Sequence, residues 1–544
     1  MKIDSQRRSI LGVGLGLLFK LAWWSLVICL PLVGAWVASS LSAYANRPPS
    51  TAALAGLLLF PIVPFLWEGL SAWRRRRASP PRFLTLGDRI VLRTLALSFA
   101  FLATVLGAFP REVFTALTVR GDWALEGREG PNVEEVRRQL FAMAGRLEWL
   151  YLYTKEKNPY GESDQGPSPD GSPSASAKPS ASTPPPSPPP LPSAASSTAR
   201  PTPASTAPPS STSAGASSTP TPAVSTPPIA SAIPAPSGAP TAAEDGAGAE
   251  AKAVAWPLPA TLHPLVASLP PEHEASPASV ARYLAERERD PIMLVKALHD
   301  YVADRIAYDA PALLARNIPD QGAAAVFRER KGVCAGYSRL FAELGRLAGV
   351  EVAYVVGDAR TADSGDDLSG PGHAWNAVRV GGAWRLVDVT WDAGSIDGAT
   401  FTKRYQSDYL LTPPEIFGRT HLPKGPSWQL LPEPLSRGDF LRQPLLEPSF
   451  FALGLSLHDP DRSQVTVERT FGARLQNPRG VSLLAVAVDK RTEAETRCEV
   501  ERGPESGVRC DLPAEGTYQV RFFASPERVG RHPYVGQIEV NRER

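Results

Sequence analysis

Cysteine is scarce in this chain: Cys29, Cys334, Cys498 and Cys510 are the only four among 544 residues. So few exclude a disulfide-built scaffold. A surplus of charge is missing as well. Lysine plus arginine number 57 against 55 aspartate plus glutamate, for a formal net charge of +2. That balance supplies no global basic field, and no nucleic-acid partner is expected. Aromatic residues are absent from Gly161 to about Ala255, where Pro, Ser, Ala and Thr dominate. A segment of that composition cannot bury enough apolar surface to offset its ordering entropy, so 161–255 is expected to be a disordered linker. As a coil of about 90 residues its ends would sit on the order of 50 Å apart. Such reach would let the distal domains work well away from a membrane.

Apolar runs, by contrast, crowd the first 110 residues. Leu21 to Ala45 carries no charge, longer than the roughly 20 residues that cross a bilayer. Thr51 to Trp73 is interrupted only by Pro61, Pro64 and Glu68, and Ile90 to Phe109 is a third candidate span. Arg93 stands near enough to the start of the third to snorkel toward headgroups. Between the second and third lie Arg74 to Arg77, Arg82 and Arg89; between the first and second, only Arg47. Cationic loops stay cytoplasmic, which puts everything after about Arg111 outside. Ala43-Tyr44-Ala45 resembles a signal cleavage site. The apolar stretch before it exceeds the usual length of about 7–15 residues, so it is read as a retained span. The expectation is a multi-pass protein of the plasma (inner) membrane with its distal domains extracytoplasmic.

Asn132 to Tyr153 has apolar residues at helical spacing, and Asn132 with Glu135 makes a capping-box-like start. Order resumes at Trp256 after the linker. Helical spacing recurs over Ser279–Arg289, Pro291–Ile306 and Gly332–Leu347, followed by strand-like runs at Val352–Gly357, Ala374–Val380 and Trp384–Val389. Helices first and sheet second make an α+β core. Beyond about Leu446 the pattern turns to short strands, near Val481–Val488, Thr496–Glu501, Val508–Leu512, Tyr518–Ala524 and Tyr534–Val540. That order suggests a β-sandwich of immunoglobulin-like type. The expected architecture is multidomain: a three-span anchor (1–110), a juxtamembrane helical segment (111–160), the linker (161–255), the α+β core (256–445) and the sandwich (446–544).

Three motifs stand in order within the core: Gly332-Val333-Cys334-Ala335-Gly336-Tyr337-Ser338, then Gly372-His373-Ala374-Trp375-Asn376, then Leu386-Val387-Asp388-Val389-Thr390-Trp391. A lone cysteine in an ordered domain is usually a small buried hydrophobe; its company changes the reading. The first turn of a helix presents amide donors and a positive dipole end, which favour thiolate, the working nucleophile. A tight turn at Gly381-Gly382 would pair residues whose numbers sum to 763. That register sets Asp388 diagonal to His373 on one face of the sheet, about 7–8 Å away and within side-chain reach. An aspartate there accepts one imidazole N–H and turns the other nitrogen toward the cysteine.

On these motifs the stretch from about Ser279 to Pro448 resembles the transglutaminase-like superfamily, and closely its kyphoscoliosis peptidase branch. Tyr308-Asp309, Asp408-Tyr409-Leu410-Leu411, Pro414-Glu415 and Trp428-Gln429-Leu430-Leu431 add to the likeness. The resemblance implies a papain-like core with Cys334 as nucleophile, His373 as general base and then acid, and Asp388 as orienter. It implies attack on a carboxamide or peptide carbonyl through a thioester, with a protein or cell-wall peptide as substrate. The Cys334 amide is one oxyanion donor on this reading. The alternative is a tethered binding scaffold with a vestigial cleft. One Cys, one His and one Asp with no CxxC pair do not make a zinc site, so no metal or organic cofactor is expected. His299 and His421 read as lone structural or surface histidines. Cys498 and Cys510 flank the turn signal Gly503-Pro504 and would close a cross-strand disulfide or stay as two buried thiols.

Overall fold

The apolar N-terminus forms helices, as its composition requires, in a computed structural model that describes residues 2–74, 84–155, 157–164, 254–363, 368 and 370–543. Helix α1 runs Lys2–Tyr44 and α4 runs Leu86–Ala108; within them Lys20–Tyr44 and Leu86–Ala108 are long and apolar enough to cross a membrane. The middle stretch is a composite: α2 (Pro49–Leu57), a π-helical turn (Leu58–Ile62) and α3 (Val63–Arg74). Pro61 and Pro64 lack the N–H that a regular ladder needs, and a wider turn absorbs the defect. Arg93 and Arg89 both pair with the buried Glu68 of α3. Most of the arginine loop, 75–83, and linker residues 165–253 fall outside the described residues.

Two expectations about the next segment are corrected. The helix foreseen over 132–153 is two, α6 (Pro131–Gly145) and α7 (Glu148–Thr154), broken at Arg146-Leu147. Its start is not an Asn132 capping box: Gly130 is the cap and Pro131 the first helical residue, a position where a missing N–H costs nothing. Helix α5 (Pro110–Arg120), at the start of the stretch expected to be helical, is almost wholly buried. It packs under α12 (Arg437–Arg442), whose Arg442 donates to Thr118 O at 3.0 Å.

That contact belongs to a set that removes the expected reach. Trp36 Nε1 of α1 donates to Gly121 O at 2.8 Å, and Asn46 Nδ2 donates to Glu539 Oε1 at 2.9 Å. Arg120 Nη2 donates to Thr466 Oγ1 at 2.6 Å, and Arg462 pairs with Asp122 at 2.9 Å. The described residues on the two sides of the linker accordingly belong to one compact unit.

The α+β core packs α8 (Pro277–Arg287), α9 (Pro291–Arg305) and α10 (Cys334–Ala348) on an antiparallel five-stranded sheet. The strands are β1 (Glu351–Ala359), β2 (His373–Val380), β3 (Ala383–Val387), β4 (Leu410–Thr412) and β5 (His421–Pro423), ordered β4-β3-β2-β1-β5. The β2–β3 register runs from Asn376↔Val387 to Val380↔Ala383, each pair summing to 763. The strand stops earlier than 389, however. Asp388 leaves the ladder and caps the short helix α11 (Val389–Ala393).

The C-terminal region holds two sheets. One orders strands 445–446, 534–542, 516–525, 482–489 and 495–497, with 464–467 joined parallel to 534–542. The other orders 456–459, 470–476, 505–511 and 499–500. Phe471, Leu475, Ala485, Cys510, Val520, Phe522 and Val540 share one core. Cys498 and Cys510 are joined as a disulfide with Cα atoms 4.4 Å apart, continuing the Glu499↔Arg509 register. Tyr518 Oη donates to Ala514 O at 2.8 Å, a corner-like tie.

Candidate active site

Helix α10 starts at Cys334 because Val333 is extended (φ −93°, ψ −177°) and its carbonyl accepts from Gly336 and Tyr337 N–H at 2.8 and 3.2 Å. Gln321 Oε1 accepts the Val333 N–H at 2.8 Å and fixes the turn. Glycine at 336 is what allows this: a Cβ there would sit 2.5 Å from Gln321 Oε1 and 2.8 Å from Val326 Cγ2. Cys334 therefore occupies the first helical turn, 1% exposed.

His373 opens β2, and Asp388 follows β3 at the α11 cap. The two carboxylate oxygens of Asp388 divide the work. Oδ1 accepts from Thr390 and Trp391 N–H at 2.8 and 3.3 Å, while Oδ2 lies 2.6 Å from His373 Nε2. Cys334 packs in one buried cluster with Ala374, the neighbour of His373, and acts on the imidazole electrostatically. With Nε2 committed to Asp388, the ring nitrogen that remains for the sulfur is Nδ1. The structure thus brings together all three residues singled out from sequence.

A fourth group joins them. His421, on β5, also reaches Asp388 Oδ2 through Nε2, at 3.1 Å, and is fully buried. Its Nδ1 lies 2.9 Å from Thr420 Oγ1. A neutral ring with Nε2–H donated to Asp388 and Nδ1 accepting the Thr420 hydroxyl satisfies both contacts. Its ring centroid lies 4.2 Å from Phe417 and 4.4 Å from Trp391. His421 is neither lone nor on the surface, and no local motif marks it. Only the β1–β5 pairing, Ala359↔His421, carries it to the site. Sequence reasoning also missed Tyr160, which packs with Cys334 in one buried cluster. It gave Tyr308 no role, though that ring packs against the same cluster.

The charges separate by environment. Burial alone would push His373 down, but the Asp388 carboxylate and Cys334 outweigh it and raise the imidazole to about 10. Burial pushes His421 down to about 4, beyond what Asp388 restores, with His373 opposing a second charge. For Asp388, burial is outweighed by His373 and then His421, which hold the carboxyl well below the usual range. The outcome is a charged His373–Asp388 pair beside a neutral His421.

His373, Asp388 and His421 also offer three ligand atoms within 4.8 Å of one another, the sole such trio among the described residues. Cys334 is not among them. Those atoms are already engaged in the 2.6 and 3.1 Å hydrogen bonds. A metal ion would have to displace the protons that hold the imidazoles.

The family profile described as the transglutaminase-like superfamily matches residues 278–389. Mouse kyphoscoliosis peptidase is 32% identical over 235 residues, 42% of this chain and 35% of that protein. Its human counterpart is 34% identical over 176 residues, 31% of this chain and 27% of that protein. Lim and transglutaminase domain protein ltd-1 of Caenorhabditis elegans is 28% identical over 239 residues, 39% and 31% of the two chains. The chain therefore spans about a third of the length of the curated relatives it matches.

Proposed function

Since residues 278–389 are a transglutaminase-like domain whose sequence groups with the kyphoscoliosis peptidase branch, we propose that this chain is a membrane-anchored cysteine enzyme that cleaves or transfers amide bonds. The observation that carries the reading is the 2.6 Å His373–Asp388 bond, with Cys334 buried in the cluster that includes Ala374, next to His373. Cys334 Sγ attacks a carboxamide or peptide carbonyl. His373 gives its proton to the departing ammonia or amine, which leaves a thioester on the sulfur. Neutral His373 then takes a proton from water or from an amine as that group attacks, and Cys334 departs as thiolate. Water yields hydrolysis; an amine yields transamidation. The Cys334 amide and the Tyr308 hydroxyl are suited to hold the developing oxyanion.

Asp388 orients rather than reacts: two backbone amides fix one oxygen, and two imidazoles fix the other. In the same reading α1, α2–α3 and α4 anchor the chain in the plasma membrane, with the arginine loop inside and the cleft outside. The substrate is a protein or cell-wall peptide on that face, and the C-terminal sheets are an immunoglobulin-like recognition module. A second reading, a binding scaffold with a closed cleft, is favoured by the 1% exposure of Cys334. Incubating the full chain with a glutamine-rich protein and a fluorescent amine separates them. Incorporation or cleavage that vanishes in Cys334→Ala supports the enzyme; neither product, at any enzyme concentration, supports the scaffold.

A further inference from the structure

Strand β1 pairs with β2 along 351–357, but on its other side β5 pairs only with 357–359. Residues 351–356 leave an open edge there, and an open edge invites an extended peptide. Residues 157–164 of this same chain fill it. Asp164 N donates to Tyr354 O at 2.8 Å, and Tyr354 N donates to Asp164 Oδ2 at 2.8 Å. Val356 N donates to Ser163 Oγ at 2.9 Å, and Trp428 Nε1 donates to Asp164 O at 3.0 Å. Glu162 pairs with Lys424 at 2.5 Å. At the other end Asn158 presses on the turn before His373. A Cβ on Gly372 (φ +89°) would lie 2.6 Å from Asn158 Nδ2, so glycine is required there.

Between these ends Tyr160 turns into the site. It is 4% exposed and packs with Val333, Cys334, Ala335, Tyr354, Val356 and Ala374. Its carbonyl accepts from Tyr354 Oη at 2.8 Å and from Arg339 Nη2 at 3.1 Å. Within that buried cluster it is the one member contributed from before the linker. Protection of a sheet edge would cover Tyr354 and Val356; it would not send a buried aromatic ring to the sulfur.

We infer that residues 157–164 are a built-in occupant of the substrate groove, a strap that seals Cys334 with Tyr160 and must lift before an acyl donor reaches the sulfur. The inference rests on the cysteine-enzyme reading above. It also names the substrate class: an extended polypeptide that offers backbone groups to Tyr354 and Val356 in the strap's place. The strap lies directly before the linker, so whatever pulls or cuts there acts on access to the nucleophile.

The test uses the full chain in detergent micelles, with iodoacetamide as probe and peptide mapping to follow Cys334. Tyr160→Ala is expected to label at least about tenfold faster than wild type, because a larger share of molecules exposes the sulfur. Ser163→Ala and Asn158→Ala, which loosen the strap without removing core packing, are expected to give smaller rises. Labelling of folded Tyr160→Ala at the wild-type rate overturns the strap. Should that variant fail to fold, unchanged rates in both milder variants overturn it equally. Adding His373→Ala to Tyr160→Ala keeps the two ideas apart. Fast labelling that needs His373 supports both; fast labelling without it supports the strap and sinks the cysteine-enzyme reading.

Discussion

Two histidine–aspartate clusters lie at opposite ends of the five-residue helix α11, and they differ in one respect. At its start Asp388 holds His373 and His421. At its end Asp392 Oδ2 lies 3.1 Å from His299 Nε2, and His299 Nδ1 lies 3.0 Å from Asp300 Oδ1. Lys296 Nζ donates to Asp300 Oδ2 at 2.7 Å, and Tyr405 Oη donates to Asp300 Oδ1 at 2.6 Å. Burial opposes charge on His299, yet Asp300 and Asp392 outweigh it and raise the ring to about 9. Both nitrogens of His299 end on carboxylates, so the second cluster is closed. In the first, no second carboxylate takes Nδ1 of His373. The same chemical pair is a structural staple where every N–H is used and, on the proposed reading, a reaction site where one nitrogen is left over.

Substitutions at the two ends should fail in different ways. His373→Ala is expected to lower turnover and His-dependent thiol labelling by about 10²–10⁴-fold, the range of a lost general base. Its urea midpoint should fall too, because Asp388 loses a buried partner, but the loss of labelling per folded molecule is what sets it apart. A large loss of stability with retained labelling would erase the distinction between the clusters. His299→Ala takes one partner from each of two buried carboxylates and is expected to cost about 3 kcal/mol in urea unfolding. Labelling per folded molecule should hardly change, and a specific loss there would assign His299 a part in the chemistry.

The smallest effect is a pH dependence that tells the histidines apart. His421 sits at about 4 in the fold, below its ordinary 6.5, so its stabilising share is whole above about 6.5 and fades as pH falls toward 4. His299 and His373 are raised, so their shares are whole below 6.5 and fade as pH climbs through about 9 and about 10. Unfolding free energy measured from pH 4 to 7 should rise with pH by no more than about 3 kcal/mol on account of His421. His421→Phe should flatten that rise; an unchanged slope would place its origin elsewhere.

Local chemistry made part of this legible from sequence. The Gly381-Gly382 turn set the β2–β3 register, and helical spacing over 332–347 placed Cys334 in the first turn of a helix. Long-range pairing was not legible. His421 depends on a three-residue strand that joins β1 from 33 residues beyond Asp388. Asp388 ends β3 because its side chain captures the amides of Thr390 and Trp391, a competition that apolar alternation does not register. Ser163 and Asp164 look like linker by composition, yet their side chains complete a sheet edge. Composition reports what a residue prefers on average and is blind to a partner almost 200 positions away.

The ties from Asn46 to Glu539 and from Arg120 to Thr466 bear on geography. If α1 and α4 stand in a bilayer, those bonds hold the Cys334 site at one height above the lipid, whatever the length of the proline-rich segment, and anything that meets the site has to come within that height.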